Sequence, residues 1–219
     1  MDVPVMNMPA GITVTGVGTA AGAPDLLRLS LGVEATAVGL ADAHRRAAEA
    51  ATRLLAALAE AGIGPGDTAT SVISLRPETS WHDGGRQETT GYTASTTFNV
   101  TVRNLQHAPA VLEAAVAAAA DSLRLGGTGF GFSEPEILAT AARAAAWQDA
   151  RTKAGQLAAL AGRSLGPVLR IEENGAGGPV PLPAMRESSL LAADLPVVPG
   201  TAELSARLTV TWGWAEDGR

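Results

Sequence analysis

Thr90-Gly-Tyr-Thr-Ala-Ser-Thr-Thr-Phe-Asn-Val-Thr-Val-Arg103 decides the fold. Tyr92, Ala94, Thr96, Phe98, Val100 and Val102 fall on one side of a period of two, and Thr93, Ser95, Thr97, Asn99, Thr101 and Arg103 on the other. That alternation is a strand with one dry face and one wet face. Its β-branched and aromatic residues suit a pleated surface. A strand of this kind belongs in an antiparallel sheet whose apolar side is covered.

The same period recurs on either side. Leu27, Leu29, Leu31, Val33, Ala35 and Ala37 face away from Arg28, Ser30, Glu34 and Thr36. In the closing stretch Leu204, Ala206, Leu208, Val210, Trp212 and Trp214 share one face, so both tryptophans read as core or interface. Residues 12–18, 126–132 and 167–173 read as shorter strands, the second with glycines that mark a bulge or a close approach. Residues 68–76 pair with 90–103 as a long hairpin, and the loop between them holds Trp81-His-Asp-Gly-Gly-Arg86.

Three segments change period. Ala47, Ala51, Leu54, Leu55, Leu58 and Ala61 recur at helical spacing within 40–61, and Gly62 with Gly64-Pro65-Gly66 ends the run. Pro109 fits the first turn of a second helix that reaches Asp121. The third helix runs to Ala161 with Gly162 beyond it. Its start reads as a capping box between Ser133 and Glu136, stapled by Phe132 and Ile137. Asp149 and Lys153 lie one turn apart and can pair, and Arg151 points away from both.

The expected fold is α+β in the order β-β-α-β-β-α-β-α-β-β: long antiparallel strands with one face covered by three helices. A single domain over 11–216 is expected, after a disordered 1–10. Residues 174–202, rich in proline and glycine, read as an arm or loop without regular structure. The element order hints at two related halves, but no repeat of residues supports it.

Composition closes several doors. Of 219 residues 46% are hydrophobic and 17% charged, which suits a globular chain. A net charge of −6 without a run of lysine and arginine argues against a nucleic-acid partner or an anionic membrane surface. Cysteine is absent, which excludes disulfides, thiolate catalysis and cysteine-held metal centres. No apolar stretch is long enough for a membrane span. The opening residues lack the features of an export signal, so the expected location is cytoplasmic.

Gly16-Val-Gly18 with Gly22 precedes a strand rather than the helix that a dinucleotide loop needs. Gly126-Gly-Thr-Gly-Phe-Gly131 lacks the Lys-Ser/Thr of a phosphate loop. His44, His82 and His107 form no metal-binding spacing, and no serine stands in a nucleophile elbow. Glu134 suits a helix N-terminus, and Glu172-Glu173 reads as a solvated pair. What remains is one cluster of varied chemistry in the hairpin: Trp81, His82, Asp83 and Arg86, with Tyr92. These five are the candidate binding residues. No catalytic residue, metal ligand or cofactor is assigned.

Taken in order, several short motifs resemble the SIMPL-domain family, which includes YggE-like proteins and bacterial periplasmic immunogenic proteins. They are Ile12–Gly18 with Pro24-Asp25, Ala61-Gly-Ile63 with Thr70-Ser71, and Gly91-Tyr-Thr-Ala-Ser95 leading into Val100–Arg103. Phe130-x-Phe132-Ser133, Asp149-Ala-Arg-x-Lys153-Ala, Leu165-Gly-x-Val168 and Pro199-Gly complete the set, over about residues 11 to 214. The resemblance implies an α+β domain without a known cofactor or established catalytic residues. It also implies a link to oxidative-stress tolerance, large homo-oligomers in some relatives, and export of many relatives to the periplasm or envelope.

The preferred functional expectation is a non-enzymatic, self-associating scaffold or stress-related protein. Its first alternative is a small-molecule-binding protein or an unrecognised hydrolase using the 81–92 hairpin. Its second is a protein-interaction adaptor.

Overall fold

The structure is a computed structural model that describes residues 11–82, 86–174, 177–181 and 199–215. The elements are β1 (Gly11–Gly22), β2 (Leu26–Ala37), α1 (Leu40–Glu60), β3 (Thr68–His82), β4 (Arg86–Val102), α2 (Ala108–Ala119), β5 (Leu123–Gly131), α3 (Pro135–Leu160), β6 (Leu165–Glu173), β7 (Gly177–Pro181) and β8 (Ala202–Trp214). They form an α+β fold of two antiparallel sheets and three helices. The described chain divides into two compact units. Of the described residues, the central unit holds 24–133 and Pro199, and the terminal unit combines the N-terminal strand with 134–181 and 200–215.

The central unit has the order β-α-β-β-α-β, and its sheet runs β3-β4-β2-β5. This is the split βαβ, or ferredoxin-like, arrangement. Leu27, Leu29, Leu31 and Val33 of β2 stand opposite Val102, Val100, Phe98 and Thr96 of β4. Leu54 and Leu58 of α1 and Val111 of α2 complete a core of large aliphatic side chains. Phe98 is 3% exposed, as the period-two reading of 90–103 requires. The polar face carries Thr36 and Thr93, whose hydroxyls lie 2.8 Å apart with Thr93 buried, and Glu34, which meets Arg76 and Arg124.

The terminal unit has the sheet order β1-β8-β6, with β7 also paired to β8. β1 and β8 pair over their full lengths, from Gly11 opposite Gly213 to Gly22 opposite Ala202. Its one helix, α3, buries Ala142, Ala146, Ala150, Ala154 and Ala158, a stripe at four-residue spacing. Gly16 and Gly18 of β1 receive that stripe. A Cβ on Gly16 would lie 2.6 Å from the Ala150 amide nitrogen, and one on Gly18 would lie 2.7 Å from the Ala145 carbonyl carbon. The helix backbone therefore rests almost directly on the strand. Trp147 and Trp212 meet at a ring-centroid distance of 5.7 Å, and Trp212 is buried as expected.

Both long helices end alike. Gly62 and Gly162 take positive φ of 87° and 67°. Their amides and those of the next residues return to the last turn, Gly62 to Ala59 and Ile63 to Leu58, Gly162 to Ala159 and Arg163 to Ala158. These are Schellman closures, which side chains other than glycine adopt only with strain.

Four expectations change. The loop expected between 76 and 90 is strand over its described residues: β3 and β4 extend the hairpin until His82 stands opposite Arg86. The capping box does not form. Glu134 is the N-cap of α3 without a side-chain cap, while the Ser133 amide donates to Asp25 (2.7 Å) and its hydroxyl is also bonded to that carboxylate. Glu136 meets Arg143 instead, and Ile137 is exposed, so no staple closes. Glu172 and Glu173 are not merely solvated, being paired with Arg170 and Arg143. The 174–202 arm contains a short strand, β7. Residues 1–10, 175–176 and 182–198 of the disordered and arm expectations lie outside the described residues.

Candidate functional site

The five candidate residues fall along one hairpin. Trp81 pairs across the ladder with Gln87 and is 69% exposed. His82 and Arg86 face each other at the last rung, and Asp83 lies outside the described residues. Tyr92 belongs to another neighbourhood. It stands opposite Pro77 and Ala37 and packs on the small cluster of Ala43, Ala47 and Ala94. Pro77 and Trp81 are four residues apart, roughly 13 Å at the rise of a strand. The structure thus draws Trp81, His82 and Arg86 to one end of the hairpin and leaves Tyr92 midway along it.

Other polar groups are committed to structure. Asp25 is held below the ordinary carboxylate range, chiefly by the Ser133 hydroxyl and then by the Ser133 amide. Asp67 is lowered by the Arg103 guanidinium, which grips both of its oxygens at 2.6–3.0 Å. Glu78 is lowered chiefly by a hydrogen bond with Thr93.

A polar cleft of about 410 Å³ is lined by Glu34, Arg46, Glu49, Arg53, Asp121 and Arg124. Arg53 Nε donates to the Ala118 carbonyl, and Arg124 Nη1 donates to those of Asp121 and Leu123. These carbonyls flank Ala120, whose φ of +44° is the one positive value among described non-glycine residues. The two arginines therefore satisfy the carbonyl end of α2 and the strained turn after it. No group of three or more metal-ligating side chains occurs among the described residues.

The free edges of the sheets are built differently. β1 is an edge strand whose outward groups are taken. The Val17 amide donates to Asp149 Oδ2 (2.8 Å), and Lys153 Nζ donates to the Thr15 carbonyl (3.3 Å). Asp149 and Lys153 also pair at 2.6 Å. Lys153 and the Val17 amide both lower the Asp149 carboxyl below its usual range. One acceptor and one donor from α3 thus stand where a neighbouring strand would put its own. The pair was legible as a helical ion pair; its hold on the β1 edge was not.

β3 is one of the two edge strands of the other sheet, opposite β5. Val72, Ile73 and Leu75 are 53%, 71% and 50% exposed. Beside it a groove of about 340 Å³ opens between Leu55, Ala59, Ile63 and Pro65 on one side and Thr70 and Phe98 on the other. Sequence reading placed the strand and missed the edge. The available signal was Val72-Ile-Ser-Leu75, apolar on both parities and ending two residues before Pro77.

Residues 12–212 match the family described as SIMPL, protein of unknown function (DUF541). The chain is 30% identical to the 26 kDa periplasmic immunogenic protein of Brucella melitensis, over 94% of this chain and 85% of that protein. The protein of the same name from Brucella abortus is equally similar over the same shares. The Escherichia coli protein called "Uncharacterized protein YggE" is 28% identical over 75% of this chain and 67% of its own length.

Proposed function

The chain belongs to the SIMPL family, and from that premise we propose that it is a non-enzymatic, self-associating scaffold with a stress-related role. One observation carries this reading: large apolar side chains are exposed together along sheet margins. Val72, Ile73 and Leu75 do so on β3, and Val168, Leu169 and Ile171 on β6. Contiguous exposed apolar surface beside a free strand edge marks a place where chains meet. The mass of the purified chain by light scattering tests it: an assembly is expected, and a monomer at micromolar concentration ends the proposal.

The Brucella relatives are called periplasmic. The proposal takes over that compartment in place of the cytoplasm suggested by the opening residues, and cell fractionation checks it. The arm at 174–202 is the second element of assembly, and deletion of 178–198 is expected to lower the particle mass.

The small-molecule reading keeps one favourable observation, the exposed indole of Trp81 beside His82 and Arg86 at the end of the hairpin. His82→Ala should then abolish a ligand-induced melting shift that the wild type shows. If no screened ligand shifts either protein, that reading is dropped.

A further inference from the structure

We infer that Val72–Arg76 of β3 pairs antiparallel with the same five residues of a second copy, about a two-fold axis at Ser74. This rests on the self-association proposed above and names its surface.

The window is set by the strand itself. The register of β3 against β4 slips between Thr70 and Val72, and Ser71, beside the slip, turns its hydroxyl to the Thr97 carbonyl. Bulges of this kind interrupt the edge of a sheet. At the other end Pro77 has no N–H to offer a neighbour. Between them lies Val72-Ile-Ser-Leu-Arg76, whose middle residue is Ser74. A strand that runs antiparallel to itself over this window sets Ile73 against Leu75 of the second copy, and Leu75 against Ile73. Val72 meets the aliphatic stem of Arg76. The edge is thus complementary to itself, which a two-fold contact requires.

Charge and cover fit the same occupant. A chain of net charge −6 repels its own copies, yet this window holds no acidic residue, and its one cation, Arg76, is balanced by Glu34 and Glu78. Ile73 and Leu75 stand opposite Thr96 and Ala94, on the side of the sheet where α1 packs. The helix lies across β2 and β4, and the groove beside Leu55 and Ile63 leaves the β3 margin bare. Pairing with a second copy would join the two sheets and cover both margins at once.

The absence of cysteine makes the test clean. Ser74→Cys puts one thiol per chain on the two-fold axis, where facing strand residues lie about 4.5–5.5 Å apart at Cα, within disulfide range. Val17→Cys, on the closed β1 edge, is the control. Both variants are oxidised and run on a non-reducing gel, beside light scattering of the wild type. The expected result is an assembled wild type, near-complete covalent dimer for Ser74→Cys and monomer for Val17→Cys. An assembled wild type with Ser74→Cys uncrosslinked overturns this surface and leaves self-association standing. A monomeric wild type overturns both.

Discussion

The two units solve the same problem, a helix on a sheet, at different distances. In the central unit α1 and α2 stand on Leu27, Leu29, Leu31, Phe98 and Val100. In the terminal unit α3 lies on Gly16 and Gly18, and its fully buried residues are all alanine. The difference reaches the edges. A helix pressed onto β1 brings Asp149 and Lys153 within reach of its outward backbone groups. A helix centred on β2 and β4, α1, leaves the margin of β3 open beside a groove. Small residues close one edge; large ones hold their helices away from the other.

Substitution in the cores gives the largest effects and should separate the units. Phe98→Ala removes a buried ring from the aliphatic core and is expected to cost about 3–5 kcal/mol. Gly18→Val drives a branched side chain into helix backbone that cannot give, with an expected cost of about 3 kcal/mol. Gly129→Ala is the control, because a Cβ there meets nothing within 4 Å; it should stay within about 0.5 kcal/mol of wild type. Urea melts read all three. If Gly18→Val is as mild as Gly129→Ala, the close-approach account of the terminal unit is wrong.

The next effect is on the closed edge. Asp149→Ala leaves the Val17 amide without its acceptor and Lys153 without its carboxylate, its bond to the Thr15 carbonyl aside. The melting temperature should fall less than in either core variant, while self-association through β1 appears as added mass. Asp149→Asn keeps an acceptor oxygen and should restore the wild-type mass. If Asp149→Ala is indistinguishable in mass, the pair does not guard the edge.

The smallest effect is acid sensitivity. Asp25, Asp67, Glu78 and Asp149 all have carboxyls lowered by native partners. Groups lowered on folding stabilise fully above their unfolded pKa, about 4. That stability is lost as pH falls through the folded values. Three of the four lie in the central unit, so between pH 5 and 8 the melting temperature should be flat, and below about pH 4 the central unit should loosen first. Proton-dependent melts of wild type and Asp25→Asn check this, and the variant should show the shallower fall.

Most of the fold was legible because its strands bury one side. Period two found β2, β4 and β8, period 3.6 with a terminal glycine found α1, and an alanine-rich run closed by Gly162 found α3. What failed involved partners far away in sequence. Ser133 and Glu136 satisfy a local capping pattern, but Asp25 competes for Ser133 from 108 residues away. The hairpin end was read as a loop because Pro77, Gly84 and Gly85 interrupt the pattern and the ladder slips between Glu78 and Thr79. Gly16 and Gly18 were read only as a failed nucleotide loop, and nothing nearby in sequence announces the helix that packs on them. Alternation tells which face of a strand is dry and says nothing about which strand lies at an edge. For the same reason the five hairpin residues looked like one cluster, although Tyr92 sits apart from Trp81.

Amide hydrogen exchange, residue by residue and at two protein concentrations, tests the contrast between the edges most directly. The account predicts a Val17 amide protected at both concentrations, although it faces outward from an edge strand. It predicts outward amides within Val72–Arg76 that exchange fast when dilute and slow when concentrated. A fast Val17 amide, or β3 amides indifferent to concentration, would contradict it.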